Sequence, residues 1–409
     1  MKNILITGTS VYGIENMGDE ALISTLVREL HNHIPDLEVT WMARHVVPEL
    51  AEEYNIQKVI RNMEHDSKEA SSGRWFYGLN SGDSPEHLAE IRAAMEACDL
   101  LIIGGDPFQE ISMAFYRGLS PYAALLITLA KFMGKPVMLH SIHMGRPLQT
   151  ELGKELTKFC VTNSDAVTLR EDFSRKVLVD MQIPTHNCHV VSDTAWGLDK
   201  IAGKKKGLGL LRGEGIKLGS EKVIGFNIRH QYWNWGQEEW ENKRQILADV
   251  CDYMVEKTGA EILFIPNCTY NIDEYYEDDR PVAKEIVERM KHQGKTHQIT
   301  GKYSLQETLA FFPLLDMHLS NRRHSAVFAA LNSVPPIACG GEWHIKPAMD
   351  EIGVGDAFVK LEDWSFESFK ESVDHIWDNR EDLIPGIEKA LPGLRANAIK
   401  QASIAADLL

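Results

Sequence analysis

The sequence predicts an α/β protein made of two similar halves, and three observations support this. The chain opens with a buried strand, Lys2–Thr7, a glycine-containing loop, a helix from about Glu20 to His31 and a second strand, Leu37–Met42. A similar apolar strand, Val223–Ile228, opens the second half, and a strand–helix–strand unit follows late in the chain. Strands that alternate with helices are typical of doubly wound parallel sheets. Ligands of such domains bind at the carboxyl ends of the strands, so we expect the site in a cleft between the halves.

Glycine turns follow two strands of the first half. In the first loop, Gly18 lets the backbone bend beside the start of the helix, which Asp19 is predicted to cap. This loop does not match the GxGxxG fingerprint of dinucleotide sites, so NAD is not expected. A strand at Asp99–Ile103 leads into the second turn, Gly104-Gly105-Asp106. Asp106 stands where a ligand would pass, but capping of the next segment is an equally good interpretation.

An arginine follows the strand Ala166–Leu169 in the same way. Arg170 stands just beyond the strand end, before a helix, where it could bind an anionic ligand. The alternative is a salt bridge with Glu171 or Asp172, which would stabilise the fold by only about 0–1 kcal/mol.

The domain boundaries follow from composition. Residues 203–220 hold six glycines and five basic residues without periodicity, so we interpret them as a linker. The strand after this linker ends in Arg229, and the aromatic segment Gln231–Trp240 that follows is of the kind that stacks on sugar rings. The predicted N-terminal Rossmann-like domain spans residues 1–202, with an insertion at about 61–97, and the linker spans 203–220. A C-terminal Rossmann-like domain follows at 221–380, and a C-terminal helix at 381–409 is predicted to pack across the domains.

The stretch Asp316–Lys346 predicts a β-α-β unit. A strand ending near Leu319 is followed by a turn at Ser320-Asn321, a helix at about Arg323–Leu331 and a strand at Val334–Cys339. One of the two turn residues is predicted to cap the helix.

Three basic residues, Arg322, Arg323 and His324, lie at the start of this helix. The macrodipole is already positive there, so each cation is destabilised by about 0.3–1 kcal/mol. A bound anion would reverse the sign of that cost, and helix N-termini at strand ends are natural phosphate sites. The alternative is a solvated basic turn with a surface histidine.

The composition restricts the possible function classes. The chain of 409 residues has a net charge of −16, which argues against nucleic acid or an anionic membrane as a partner. Its six cysteines lack the spacing of a disulfide framework or a metal site. The sequence has no run of about 18 apolar residues, so no transmembrane segment is predicted. The first residues predict a strand rather than a signal peptide. We therefore expect a cytoplasmic enzyme or binding protein.

Taken together, these turns resemble the motifs of the polysaccharide pyruvyl transferase family, and the resemblance covers nearly the whole chain. It rests on Asn16–Leu22, Gly104-Gly105, Arg170-Glu171-Asp172 with Ser174, Asp193–Trp196, Arg322-Arg323-His324 with Phe328–Ala330 and Pro335, and Lys346. The sequence departs from the family where Asp106 replaces a third glycine, where Arg323 replaces a common leucine, and in the loop His140–Pro147.

The resemblance implies a fold similar to the GT-B glycosyltransferases, with two Rossmann-like domains facing a cleft. It implies phosphoenolpyruvate as the donor substrate, bound by the C-terminal domain, and no cofactor. The acceptor would be a sugar diol of a cell-wall or other cell-surface glycan, or of its lipid-linked or nucleotide-linked precursor. The product would be a cyclic pyruvate ketal, and this chemistry needs no metal.

The resemblance and the chemistry also imply roles for individual residues. His324 is the candidate general acid, and Asp106 and Asp19 are the candidate bases. Arginine and lysine suit the phosphate and carboxylate of the donor. The predicted substrate-binding residues are Arg170, Arg322, Lys346, Arg229, Asn16, Gly18, Gly104, Gly105 and Arg323.

Two other functions are compatible with the same residues. A GT-B glycosyltransferase would hold the diphosphate of a nucleotide sugar at the basic helix start. A non-catalytic sugar-phosphate binding protein, degenerate at Asp106, would bind its ligand without ever releasing phosphate.

Overall fold

The computed structural model describes residues 1–8, 16–43, 48–62, 84–105, 107–108, 119–199, 203–269 and 278–409. The chain divides into two compact domains. The first contains Met1–Ile14, Asp19–Leu198 and Arg395–Leu409, and the second contains Glu15–Gly18 and Asp199–Leu394. Both domains are therefore assembled from segments that are far apart in the sequence.

The first domain is built on a parallel sheet of seven strands in the order β3-β2-β1-β4-β5-β6-β7. The strands are β1 (Lys2–Thr7), β2 (Leu37–Ala43), β3 (Lys58–Arg61), β4 (Leu100–Gly104), β5 (Val137–Ile142), β6 (Ala166–Leu169) and β7 (Cys188–Val190). The helices of this part of the chain are α1 (Met17–His33), α2 (Pro48–Glu53), α3 (Pro85–Ala97), α4 (Leu119–Phe132), α5 (Glu151–Thr162) and α6 (Asp172–Asp180).

The second domain is built on a parallel sheet of six strands in the order β10-β9-β8-β11-β12-β13. The strands are β8 (Val223–Asn227), β9 (Glu261–Phe264), β10 (Thr296–Gln298), β11 (Met317–Ser320), β12 (Pro336–Gly340) and β13 (Val359–Lys360). The helices are α7 (Lys204–Gly213), α8 (Tyr232–Thr258), α9 (Asp279–Arg289), α10 (Leu305–Leu309), α11 (Arg323–Leu331), α12 (Glu342–Glu351) and α13 (Phe366–Ala398), and α14 (Lys400–Ala406) follows in the first domain.

Both sheets have the strand order of the Rossmann fold, which runs outward from a central strand in both directions. The order reverses between β1 and β4 in the first sheet and between β8 and β11 in the second. The strands β4 and β8 are buried along their whole length, as expected when helices cover both faces of a parallel sheet. The prediction of two Rossmann-like α/β domains is confirmed.

The core of the first domain lies on both faces of its sheet. Along β1, Leu5 packs in one apolar cluster, whereas Ile4 and Ile6 pack in another, because alternate side chains of a strand point to opposite faces. Leu26 and Leu30 of α1 cover the second of these faces. Among the described residues, no helix has both the length and the apolar character needed to cross a membrane.

Residues 203–220, interpreted above as a linker, contain helix α7. Gly207 and Leu211 of this helix are buried, and a Cβ atom at Gly207 would overlap the backbone carbonyl of Ala310. The linker prediction was wrong. It rested on the glycine content, since glycine is unfavourable in a helix, but tertiary packing outweighs that preference here. The predicted boundary at 381 falls inside α13, and the chain enters the first domain at Arg395.

The aromatic segment 231–240 is the start of helix α8 rather than a sugar-stacking loop. Trp240 is buried, and Trp235 stacks on it with ring centroids 6.0 Å apart. Trp235 also packs against the buried Trp364, at 5.1 Å. These rings therefore contribute to the core of the second domain. The predicted insertion at 61–97 includes helix α3, and its residues 63–83 lie outside the described part of the chain.

Two glycines of α7 give a matched test of its packing. We expect Gly207→Ala to destabilise the protein by about 1–3 kcal/mol, because the added methyl group overlaps backbone. We expect Gly209→Ala to stabilise it by about 0.5–1 kcal/mol, because nothing lies within 4 Å of a Cβ atom there. Urea unfolding measures both. Equal effects of the two substitutions would show that residues 203–220 behave as a linker after all.

A buried histidine of β11 makes stability depend on pH. Burial lowers the pKa of His318 to about 3, so the unfolded chain, with an ordinary pKa of about 6.5, binds the proton more tightly. The stabilisation is therefore present above pH 6.5 and is lost as the pH falls, by about 2 kcal/mol at pH 5. We expect His318→Gln to remove this loss when unfolding is compared at pH 7 and pH 5. His375→Gln, at an exposed position of α13, is the control, and an equal pH dependence in both variants would contradict the prediction.

Candidate active site

The candidate site of the second domain lies where the strand order reverses, between β8 and β11. Arg229 comes two residues after β8, and Asn321 comes directly after β11. The Asn321 carboxamide accepts a hydrogen bond from the Arg229 backbone N–H at 2.7 Å and donates one to the Arg229 carbonyl at 3.2 Å. These bonds fix the two strand ends together at the position where doubly wound domains bind ligands.

Helix α11 begins at Arg323, as predicted, but neither Ser320 nor Asn321 is its N-cap residue. Arg322 holds that position, and its side chain makes no capping bond. Ser320 Oγ accepts from the Arg322 N–H at 2.9 Å, one residue before the helix, and Asn321 is engaged with Arg229. The first N–H groups of α11 thus receive no acceptor from the N-cap side chain, which suits a negatively charged ligand.

Arg322 forms an ion pair with Asp279, the first residue of α9. Its Nη2 lies 2.6 Å and its Nε 3.2 Å from the same carboxylate oxygen, Oδ1. Asp279 therefore provides a counter-ion at the start of α11, where the sequence predicted an unbalanced cluster of cations. Asp279 belongs to the acidic stretch 271–280, whose composition is also explained by simple solvation. Its separation of 43 positions from Arg322 hides the pairing from sequence reasoning.

Arg323 and Lys346, both predicted to bind substrate, have protein partners of their own. The Arg323 side chain is buried, and its Nη1 donates to the backbone carbonyl of His344 at 3.0 Å. This bond connects α11 to α12. Lys346, also on α12, pairs with Asp350 one turn later at 2.7 Å. The substrate-binding roles of Arg323 and Lys346 stay predictions.

His324 packs directly against the N-terminal glycine motif. A Cβ atom at Gly18 would overlap the His324 ring at Nδ1, so only glycine allows this close approach. The ring also stacks near Phe328, with centroids 6.4 Å apart. Gly18 and His324, predicted from motifs about 300 residues apart, are thus brought into contact within the second domain.

The segment that carries Gly18 is anchored to the turn after β9. Asn16 forms an isolated antiparallel bridge with Cys268, and the Met17 N–H donates to the Asn267 carbonyl at 3.0 Å. The Gly18 N–H donates to Asn16 Oδ1, also at 3.0 Å. Asn16 therefore holds the motif in place by hydrogen bonds, in addition to any contact with a ligand.

The glycines of the first domain also lie where the strand order reverses. Gly104 ends β4, beside β1, and Gly105 follows it with φ +92°. Gly8, directly after β1, has φ +77°, and a Cβ atom there would lie 2.5 Å from the Gly104 carbonyl oxygen. Asp106 lies outside the described residues. Asp19 is in the first turn of α1, which begins at Met17, so the prediction that it caps this helix was wrong.

Arg170 pairs with neither of its acidic neighbours. It is 2% exposed, its Nε donates to the Ser141 carbonyl at 2.6 Å, and its Nη1 lies 3.5 Å from Asp193 Oδ2. Asp193 in turn accepts from the Ala195 N–H at 2.9 Å. Two of the predicted motifs, Arg170–Asp172 and Asp193–Trp196, therefore meet inside the first domain. The alternative of a salt bridge with Glu171 or Asp172 was wrong, and the substrate-binding role of Arg170 stays a prediction.

Further buried polar groups surround this pair. Glu171 bonds to His143 Nδ1 at 2.8 Å. Thr194 Oγ1 contacts His140 Nε2 at 3.1 Å and accepts from Gln401 Nε2 at 2.8 Å. Burial, and after it the charge of Arg170, lowers the pKa of His140 to about 3, so its ring is neutral at physiological pH. Both histidines lie in the predicted loop His140–Pro147, and no site role was predicted for either of them.

Two comparisons of the sequence with known proteins agree. A family model described as polysaccharide pyruvyl transferase matches residues 16–342. The chain is also 22% identical, over 433 aligned residues, to the amylovoran biosynthesis protein AmsJ of Erwinia amylovora, with 99% of each chain covered.

Solved structures with the same fold include sugar-nucleotide proteins. UDP-GlcNAc 2-epimerase from Neisseria meningitidis, bound to UDP-GlcNAc, matches with a TM-score of 0.61 at 12% identity, covering 100% of this chain and 99% of that one. HepE from Anabaena, in complex with UDP and glucose, matches with a TM-score of 0.61 at 13% identity and the same coverage. At these identities the likeness concerns the fold alone, and it confirms the GT-B-like class with two Rossmann-like domains.

The contact between Gly18 and His324 can be tested by a double-mutant cycle. We expect Gly18→Ala to destabilise the protein by about 1–3 kcal/mol, because the new methyl group overlaps the imidazole. In a His324→Ala background the overlap is relieved, so the same substitution should cost far less. Urea unfolding of the four proteins gives the coupling energy. Additive effects would contradict the packing described here.

Proposed function

Because this chain belongs to the polysaccharide pyruvyl transferase family, we propose that it transfers the enolpyruvyl group of phosphoenolpyruvate to a sugar diol, forming a pyruvate ketal. The acceptor is a cell-surface glycan or its lipid-linked or nucleotide-linked precursor. The observation that carries the proposal is the contact of His324 with Gly18 at the start of α11, where Arg322 is also held. Motif residues from two distant parts of the sequence thus meet at one strand-order reversal.

The donor fits the charge of this region. Phosphoenolpyruvate carries a phosphate and a carboxylate, and a guanidinium can bond either group with two parallel N–H donors. The N-terminus of α11 adds partial positive charge and N–H groups directed at the ligand. Arg322 at the N-cap position stands at this end, and Arg229 stands at the neighbouring strand end.

The reaction requires an acid, and we assign this role to His324. One acceptor hydroxyl adds to C2 of the donor while C3 takes a proton from the imidazolium and becomes a methyl group. The bond from C2 to the phosphate oxygen then breaks, and the second hydroxyl adds to C2 and closes the ketal. Each hydroxyl gives up a proton to a base, for which Asp19 and Asp106 are the candidates. One phosphate leaves for each ketal formed.

The biological setting is part of the same proposal. The relative AmsJ is named for amylovoran biosynthesis, so a polysaccharide pathway is the setting we infer for this chain. We place the reaction in the cytoplasm.

A glycosyltransferase that uses a nucleotide sugar is the second candidate. Proteins of the same fold were solved with UDP and with UDP-sugars, and the start of α11 would suit a diphosphate equally well. A non-catalytic protein would bind such a ligand without turnover. The three functions predict different products, so one assay can separate them.

The test is phosphate release from phosphoenolpyruvate across a panel of sugar acceptors, with mass spectrometry of the product. We expect phosphate and a ketal in equal amounts. His324→Gln should lower kcat by about 10²–10⁴-fold, the range of general acid catalysis, whereas His375→Gln should leave it unchanged. Release of UDP from UDP-sugars, without reaction of phosphoenolpyruvate, would favour the glycosyltransferase. Thermal stabilisation by either ligand without product would indicate a binding protein.

A further inference from the structure

Asp279 uses both oxygens of a buried carboxylate. The residue is 2% exposed. Its Oδ1 accepts from Arg322 Nη2 and Nε. Its Oδ2 accepts from the backbone N–H groups of Asn267 at 2.9 Å and Cys268 at 3.0 Å, and from Asn227 Nδ2 at 3.1 Å. Five donors therefore meet a group that offers about four lone-pair directions.

This arrangement fixes the carboxylate on one side and the guanidinium on the other. The three N–H donors at Oδ2 come from Asn227, the last residue of β8, and from the turn after β9, so they hold the carboxylate beside the sheet. Oδ1 then holds one edge of the Arg322 guanidinium. Because a guanidinium is a rigid planar fork, fixing that edge also fixes the direction of its remaining N–H groups.

The same turn also supports His324. Asn267 and Cys268, whose N–H groups bind Asp279, hold the segment that carries Gly18 through the Asn16 bridge and the Met17 N–H. Gly18 packs on the His324 ring. The Asp279 carboxylate thus bonds directly to Arg322. Through the backbone of Asn267 and Cys268 it is also connected to Gly18, which packs on His324.

We propose that Asp279 is a positioning residue that fixes the Arg322 guanidinium in the orientation that receives the anionic donor. The proposal rests on the proposed function for the identity of the donor. Asp279 itself acts through Arg322 and is not a base, because its lone pairs are already occupied by the five donors. A substrate-binding group that is misplaced by about 1 Å can lower the reaction rate by about 10²-fold.

The test compares Asp279→Asn with Asp252→Asn. Asp252 is an equally buried carboxylate of the same domain, 3% exposed, and it accepts from the backbone N–H groups of Lys291 and His292. The side chain of an asparagine has one oxygen and one NH2 group, whereas the aspartate accepts on both oxygens. Whichever way the carboxamide is turned, its NH2 group faces N–H donors, either of the guanidinium or of the backbone, so one set of hydrogen bonds is lost. We expect Asp279→Asn to raise KM for phosphoenolpyruvate about 10- to 100-fold with a smaller change in kcat. Asp252→Asn should leave both constants unchanged.

A double mutant distinguishes positioning from a general effect on folding. If Asp279 acts through Arg322, Asp279→Asn should raise KM no further in an Arg322→Ala background. The same fold-increase in both backgrounds would overturn the proposal, as would wild-type kinetics of Asp279→Asn. Urea unfolding of each variant shows that the folded protein is being measured.

Calorimetric titration with inorganic phosphate separates this inference from the proposed function. If the wild type binds phosphate but never releases it from phosphoenolpyruvate, the proposed function fails. The positioning role then stands if Asp279→Asn weakens phosphate binding about 10-fold or more and Asp252→Asn does not. Unchanged phosphate binding in Asp279→Asn overturns the positioning role. A wild-type chain that binds neither phosphate nor phosphoenolpyruvate overturns both.

Discussion

The ion pair between Arg322 and Asp279 balances charge at the point where the second sheet meets helix α11. When a helix starts with two arginines and a histidine, positive charge on these side chains is repelled by the positive end of the helix dipole. Here one guanidinium is matched by a buried carboxylate and the other bonds to the His344 carbonyl. With these contacts the helix begins three residues after the end of β11, and His324 packs against Gly18. The chemistry proposed for this protein depends on that balance.

The two domains use the same device at different strand ends. In the first, Arg170 follows β6, its Nη1 lies 3.5 Å from Asp193 Oδ2, and its Nε donates to the Ser141 carbonyl. In the second, Arg322 follows β11 and is held by Asp279. Asp193 also accepts one backbone N–H and Asp279 accepts two, so each arginine faces a carboxylate that is bonded to the main chain. Since an arginine side chain has many rotamers, such anchoring lowers the entropic cost of presenting a guanidinium in one orientation.

Local pattern predicted the elements, whereas long-range pairing escaped it. The bounds of α11 were correct because a strand, a polar turn and an apolar helix face follow one another in a single stretch. Helix α7 was missed because its glycines suggest a linker, and only the surface of Ala310 explains Gly207. The contact of Gly18 with His324 was predicted only as shared membership of a site, through family motifs. The role of Asp279 was not predicted, because nothing in an acidic segment indicates which of its carboxylates turns inward.

The first domain is completed by residues from the far end of the chain. Gln401 of α14 accepts from Thr168 Oγ1 at 2.7 Å, across 233 residues of sequence, and also donates to the Ser192 carbonyl. A ribosome delivers Thr168 long before Gln401, and domains usually fold in the order of their synthesis. The hydrogen bonds of Gln401 therefore cannot form during synthesis of the first domain. Its polar interior near Arg170 stays incomplete until the whole second domain has been translated.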